Sequence, residues 1–307
     1  MMTVAYRKQM KLSPVTSDCV LRTLAYFSIF QYPLTRQEII DFMHPSAERD
    51  AVDEVLAGLV LSQKIFKIDE FYMLVDDSNL VQRRREGNKR ADQLIPVAMR
   101  IGRFLSRFPY VRGIAISGSL SKRYADDEAD VDFFIVTKAN RLWIARTCMH
   151  LFKKLTFLTG RQHLYCMNYY IDENSLVLDD QNIYTAIETR TLLPVCGEGI
   201  NEFVAANTWV DDWIAIDSVE TRKLAKNSIP FYKNILEWLL NSNRLDSYLM
   251  KLTTRRWDRK KERQARNDQG KEMDLITGKH FARSNPGMFQ ERLLMMYAEK
   301  LQTLDIK

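Results

Sequence analysis

Residues 111–137, VRGIAISGSLSKRYADDEADVDFFIVT, constrain this chain more than any other stretch. VRGIAIS and VDFFIVT have the length and β-branched content of strands. The first runs into a Gly-Ser pair at 118 and 119, and the second is led by Asp130 and Asp132. Side chains along a strand alternate faces with period two, so these carboxylates share a face and repel unless a cation lies between them. A Gly-Ser turn at a strand end lets backbone amides approach a phosphate closely, and the serine hydroxyl adds a donor. A short helix starting near Leu120 would aim its positive end at the same point. Lys122 and Arg123 follow at once. Paired aspartates are the hard oxygen ligands that Mg²⁺ accepts alongside substrate phosphates. The stretch therefore reads as a holder for a nucleoside triphosphate with its metal, built without the GxxxxGK[ST] of a P-loop. Asp126, Asp127 and Glu128 read as solvated loop charges.

The flanking sequence divides into three regions. In residues 15–78, an apolar helix from Ser17 to about Phe30 is followed by a break at QYPLTRQE. Thr35 and Glu38 form a capping box that opens a short helix through Phe42 and Met43. A third helix carries Val52, Val55, Leu56, Leu59 and Val60 at three-four spacing. Residues 64–75 alternate like a hairpin, although Asp-Glu is not a favoured two-residue turn. Three helices and a hairpin make a winged helix-turn-helix. The helix that would enter a DNA groove carries Glu48, Asp50, Asp53 and Glu54 against a lone Arg49, so nucleic-acid binding is possible but not favoured over protein contact or internal packing.

Residues 79–184 start with a long lead-in helix in which Pro96 marks a kink or break. The two strands above come next, then a helix capped by Asn140 and ended by Gly160, then a strand at 163–171. Trp143, Tyr165, Tyr169 and Tyr170 read as packing residues. Beyond about Thr185, residues 185–307 read as mainly helical, punctuated by Pro194, Pro230 and Pro286. The expected fold class is α+β: a winged helix domain, a small mixed-sheet domain and a helical C-terminal region.

The chain is 46% hydrophobic and 27% charged over 307 residues, which excludes disorder and leaves ample material for several cores. Neither a signal-peptide core nor an apolar run of membrane-spanning length is present, so a cytoplasmic protein with no membrane partner is expected. Cys19, Cys148, Cys166 and Cys196 lack CxxC spacing and read as buried thiols; the four histidines are isolated and read as no metal site. The net charge of +6 is concentrated at residues 82–90 and 255–271. Each run reads either as a solvated helix face or as a nucleotide- or RNA-facing patch.

An apolar strand, Gly-Ser, a loop, and Asp-x-Asp within a second apolar strand resemble the signature of the nucleotidyltransferase superfamily, the polymerase-beta-like fold. Here the motif is IAISGS with DVDFFIV, and the resemblance covers roughly residues 95–180. It implies that Asp130 and Asp132 are catalytic and hold Mg²⁺. It also implies that Gly118 and Ser119, with Lys122 and Arg123, bind the nucleotide. The chain departs from the pattern at Lys122 and Arg123, where members have a small residue, and at Ala129, where they have a Ser. The third carboxylate of active members falls on Asn168, with Asp172, Asp179 or Asp180 as substitutes if the chain bends suitably. The resemblance implies Mg-dependent transfer of a nucleoside monophosphate from an NTP to an unknown hydroxyl acceptor. The alternative is a catalytically weakened module that binds a nucleotide and acts as a regulator or adaptor through its winged helix.

Overall fold

A computed structural model of the chain describes residues 14–127, 129–160, 162–215, 230–266 and 273–306, so Glu128 and residues 267–271 of the second basic run lie outside it. The N-terminal part comprises α1 (Pro14–Ser28), β1 (Leu34–Thr35), α2 (Arg36–Phe42), α3 (Val52–Leu61), β2 (Phe66–Ile68) and β3 (Phe71–Met73). The capping box forms as read. The Glu38 amide donates to the Thr35 hydroxyl, and the Thr35 amide donates to Glu38 Oε2 at 2.9 Å. The hairpin closes because Asp69 takes φ 53, a left-handed conformation that Asp tolerates better than most residues. The three strands run in the order β1-β3-β2, all antiparallel, and Val20, Leu24, Leu34, Ile39, Val55 and Leu56 fill the core beneath them.

Next comes α4 (Ser78–Leu105), a single helix that runs through Pro96, so the expected break is absent. Pro96 forfeits one helical hydrogen bond, at a cost of about 3 kcal/mol. Packing along the helix outweighs it: Ala91, Ala98, Ile101 and Leu105 are buried in one apolar cluster, and a side chain at Gly102 would meet Val195 at 2.9 Å. The basic run at 82–90 begins on this helix as an internal clamp. Buried Arg84 donates to the Pro33 carbonyl at 2.8 Å and Glu38 at 2.6 Å and lies 3.7 Å above the Tyr32 ring. Arg85 pairs with Asp69 and Glu70, Arg83 with Asp126, and Arg90 with Asp127. Asp126 and Asp127, read as solvated, are exposed but paired.

The remaining elements are β4 (Val111–Ile116), α5 (Gly118–Ser121), β5 (Asp132–Thr137), α6 (Leu142–Thr156), β6 (Cys166–Asp172), α7 (Ile183–Arg190), β7 (Leu193–Cys196), α8 (Gly199–Ala206), α9 (Phe231–Leu239), α10 (Asn243–Arg266), β8 (Met273–Thr277), β9 (Phe281–Pro286) and α11 (Phe289–Thr303). Six strands form one mixed sheet in the order β7-β4-β5-β6-β9-β8. β5 and β6 are parallel, joined across α6, and the other neighbours are antiparallel. The mainly helical reading beyond Thr185 missed β7, β8 and β9. β7 is an edge strand, which is where Pro194 can sit without breaking a ladder. The fold is thus mixed α+β, and the sheet draws strands from both sides of residue 184.

Phe133 and Ile135 face a cluster shared with α4 and α6; Phe134 and Val136 face another shared with α8. Trp143 and Tyr170 are buried as expected. Gly160 takes φ 65 where the helical segment ends, also as expected. Asn140 does not cap α6. It sits at φ 58 with its amide donating to Asp172, and the amide of Ile144 donates instead to Asp246 of α10, at 2.9 Å. The fold closes on itself through α11, where Tyr297 meets Tyr26 of α1 edge-on at 5.7 Å. Among the described residues no helix is long and apolar enough to cross a membrane.

Candidate functional site

β4 and β5 are adjacent and antiparallel, so the end of one and the start of the other lie side by side. The register pairs Ile116 with Phe133, and the Ser117 amide donates to the Asp132 carbonyl at 2.9 Å. Gly118 follows at φ 70, in the left-handed region that glycine enters without strain. A second constraint requires glycine here. A Cβ at this position would lie 2.7 Å from Asp132 Oδ2, so the Asp132 carboxylate rests directly against the turn. Asp130 is exposed, Val131 buried and Asp132 intermediate, a burial pattern compatible with period-two alternation. Asp130 precedes the strand proper; backbone bonds from Val131 to the His163 carbonyl and from Cys166 to the Val131 carbonyl hold its neighbour in line.

Electrostatics concentrate on Asp132. Burial, then the nearby charge of Asp130, push its carboxyl up from the usual carboxylate range to about 7. Glu188 of α7 adds to the upward push and Lys153 of α6 opposes it. Asn168 sits at a β-bulge, where the pairing passes from Phe133–Met167 to Phe134–Tyr169 and leaves it as the extra residue. Bulges re-aim side chains. This one sends Asn168 Nδ2 to Asp132 Oδ1 at 2.5 Å, while its Oδ1 accepts from the Cys166 thiol at 3.1 Å. The expected third position is therefore next to Asp132, with its amide nitrogen toward the carboxylate. Burial and the Asp132 charge push the Cys166 thiol up to about 12, so it stays protonated.

The turn itself is braced. Lys122 Nζ donates to the Gly118 carbonyl at 3.0 Å and to Glu188 at 2.7 Å, and Ser121 Oγ donates to the same carbonyl at 2.8 Å. Ser119 is exposed at the head of α5, whose first amides have no acceptor within the helix. Arg123 takes φ 57, which carries its side chain away to Asp92 of α4 at 2.7 Å. Gly118, Ser119, Asp130, Asp132, Lys122 and Asn168 are thus brought together, and Arg123 is not. Two of the alternatives to Asn168 are engaged with other partners. Buried Asp172, at the far end of β6, binds His280 at 2.9 Å and caps the amides of Asn140 and Asn174; Asp180 pairs with Arg283.

Glu188, Lys153 and Cys166 were not among the residues expected at the site. Glu188 and Lys153 lie in ordinary helical sequence, and only the packing of α7 and α6 at this end of the sheet brings them near Asp132. Among the described residues no group of three or more His, Cys, Asp and Glu side chains is placed to hold a metal ion. A cation here would rest on two carboxylates supplemented by neutral oxygens. Against protein-family models, curated proteins and solved structures, no match to the chain is found.

Proposed function

We propose that the chain is a Mg-dependent nucleotidyltransferase of polymerase-beta-like fold that moves a nucleoside monophosphate from an NTP to a hydroxyl acceptor. One observation carries the reading: the Asp132 carboxylate lies against Gly118, closer than any other side chain would allow. One of the two carboxylates thus lies at the Gly-Ser turn. The residues suit a divalent cation, because burial and then the charge of Asp130 lift the Asp132 carboxyl to about 7, and a positive charge beside the pair would relieve both. Asp130 and Asp132 would hold the ion, with the Asn168 oxygen as a third donor after an amide flip. A bound Mg²⁺ supplies charge neutralisation at the triphosphate.

The chain's own part is positioning. The Gly118 and Ser119 amides and the Ser119 hydroxyl receive phosphate oxygens. Lys122 holds the turn rigid through the Gly118 carbonyl while its charge is paired with Glu188. The acceptor oxygen bonds to the α-phosphorus, the bond to the bridging oxygen breaks, pyrophosphate leaves with that electron pair, and the hydroxyl proton passes to solvent. The N-terminal helices and three-stranded sheet are read as a winged helix that engages the chain itself. Arg49 donates to the Ala215 carbonyl, Asp53 pairs with Arg36, and Arg84 locks α4 to Glu38. Arg36, Arg49 and Arg84 are thus engaged within the chain.

A second reading keeps the nucleotide and drops the chemistry. Asn168 stands where a carboxylate is expected and donates to Asp132, which favours a nucleotide-binding regulator or adaptor. One experiment separates the two: incubation with each α-labelled NTP and Mg²⁺, native chain against an Asp130→Ala, Asp132→Ala double variant. Turnover or label transfer lost in the variant supports the transferase. Thermal stabilisation by nucleotide without turnover supports the binding module, and neither response refutes both.

A further inference from the structure

Helix α9 is inside out. Lys233 is buried and donates from Nζ to the carbonyls of Ser106 and Val111, both at 2.8 Å. One turn later Glu237 accepts from the Tyr110 amide at 2.8 Å and from Arg112 through both oxygens at 2.9 and 2.8 Å. The face that leaves water is therefore the polar one. The opposite face presents Phe231, Ile235, Trp238 and Leu239 to solvent, 79, 42, 77 and 62% exposed, with Tyr232 beside them at 50%. Burial of apolar area drives folding, so a helix docked this way sacrifices that gain in the free chain. A contiguous row of exposed aromatic and aliphatic side chains marks a contact surface.

The next helix supplies the charge. After Asn241 and Ser242, α10 shows solvent a row of Arg244, Tyr248, Lys251, Arg255 and Arg259 at helical spacing, with Asp258 as the carboxylate on that face among the residues whose side chains are described. We propose that α9 and the first turns of α10 form a docking surface for an anionic lipid bilayer. Phe231, Trp238 and Leu239 enter the boundary between headgroups and acyl chains, and the basic row pairs with the headgroups. The helix lies on the surface and does not span it. A second copy of the chain fits less well, because an isologous contact sets the same patch against itself and brings like-charged rows together. This inference goes beyond the transfer reading and stands without it.

The test is co-sedimentation of the full chain with vesicles of phosphatidylcholine alone or with about 30% phosphatidylserine. The chain should pellet with the anionic vesicles, less so as salt rises. Phe231→Ala with Trp238→Ala should weaken binding roughly tenfold or more by removing inserted area. Lys251→Ala or Arg255→Ala should each cost about fivefold. All four positions are solvent-facing, so circular dichroism should show the fold retained. Leu61→Ala, on the exposed face of α3, should change nothing. Absence of binding to either vesicle would overturn the inference. So would binding indifferent to the α9 substitutions, or a dimer in ultracentrifugation that the same substitutions dissolve.

Discussion

Replacing Asp132 by Asn should make the metal-free protein more stable at alkaline pH, although it removes a residue proposed to be essential. In the folded chain this carboxyl titrates at about 7, raised first by burial and then by Asp130. In the unfolded chain it titrates near 4. A raised carboxyl means that the folded state keeps a proton the unfolded state has released. Stability is therefore lost as pH climbs from about 4 to about 7 and is flat beyond. A gap of roughly three units at about 1.4 kcal/mol each bounds the penalty at about 4 kcal/mol. Solvent access and the bond from Asn168 reduce it to about 2 kcal/mol. Asn at 132 carries no charge and keeps an oxygen for Asn168. Thermal unfolding in chelator should show variant and wild type level near pH 4 and the variant ahead by about 3 °C near pH 8, for a chain of 307 residues. Adding Mg²⁺ should narrow that gap, because only the wild type gains. A difference that does not change with pH, or a variant less stable near pH 8, would refute the reasoning.

Other outcomes follow from the same geometry. Asn168→Asp sets a third carboxylate 2.5 Å from Asp132 Oδ1, so it should lower stability by about 1–3 kcal/mol in chelator and restore it in Mg²⁺, read by melting with and without the ion. Gly118→Ala forces a left-handed alanine, costing about 1–2 kcal/mol, and drives a methyl into Asp132; urea denaturation should register the loss and turnover should vanish while circular dichroism is unchanged. Arg84→Ala strands Glu38 and the Pro33 carbonyl beside a buried void, so a loss of about 3–5 kcal/mol is expected by the same denaturation.

What the sequence disclosed were features written within a few residues. The Thr35–Glu38 box, the Gly118 turn and the alternation across Asp130, Val131 and Asp132 are local rules, and each appears where it was read. What it hid depends on partners far along the chain. Pro96 reads as a kink or a break until the cluster beneath α4 is known to carry the helix on past it. Asn140 reads as a cap until Asp246, from α10, is found bonded to the same helix end. The short strands β7, β8 and β9 carry Pro194 and several polar residues, and only their pairing in the sheet, β7 and β8 at its edges and β9 between β6 and β8, makes them strands. The family resemblance points to Asn168 through the strand it lies on; the bulge that turns it onto Asp132 has no signature in the sequence. The basic run at 82–90 is in part the solvated helix face that is one of its two readings, with Arg85 and Lys89 exposed; the burial of Arg84 is hidden, because the carboxylates that pair with the run come from residues 38, 69, 70, 126 and 127.

The most direct measurement is equilibrium binding of Mn²⁺, as a spectroscopic stand-in for Mg²⁺, followed by electron paramagnetic resonance with and without a non-hydrolysable nucleoside triphosphate. The native chain should bind the ion weakly alone and at least tenfold more tightly with the triphosphate, and Asp132→Ala should abolish the enhancement. Ion binding that is indifferent to the triphosphate, or that survives the loss of both aspartates, would mean the carboxylates and the serine turn do not share a ligand.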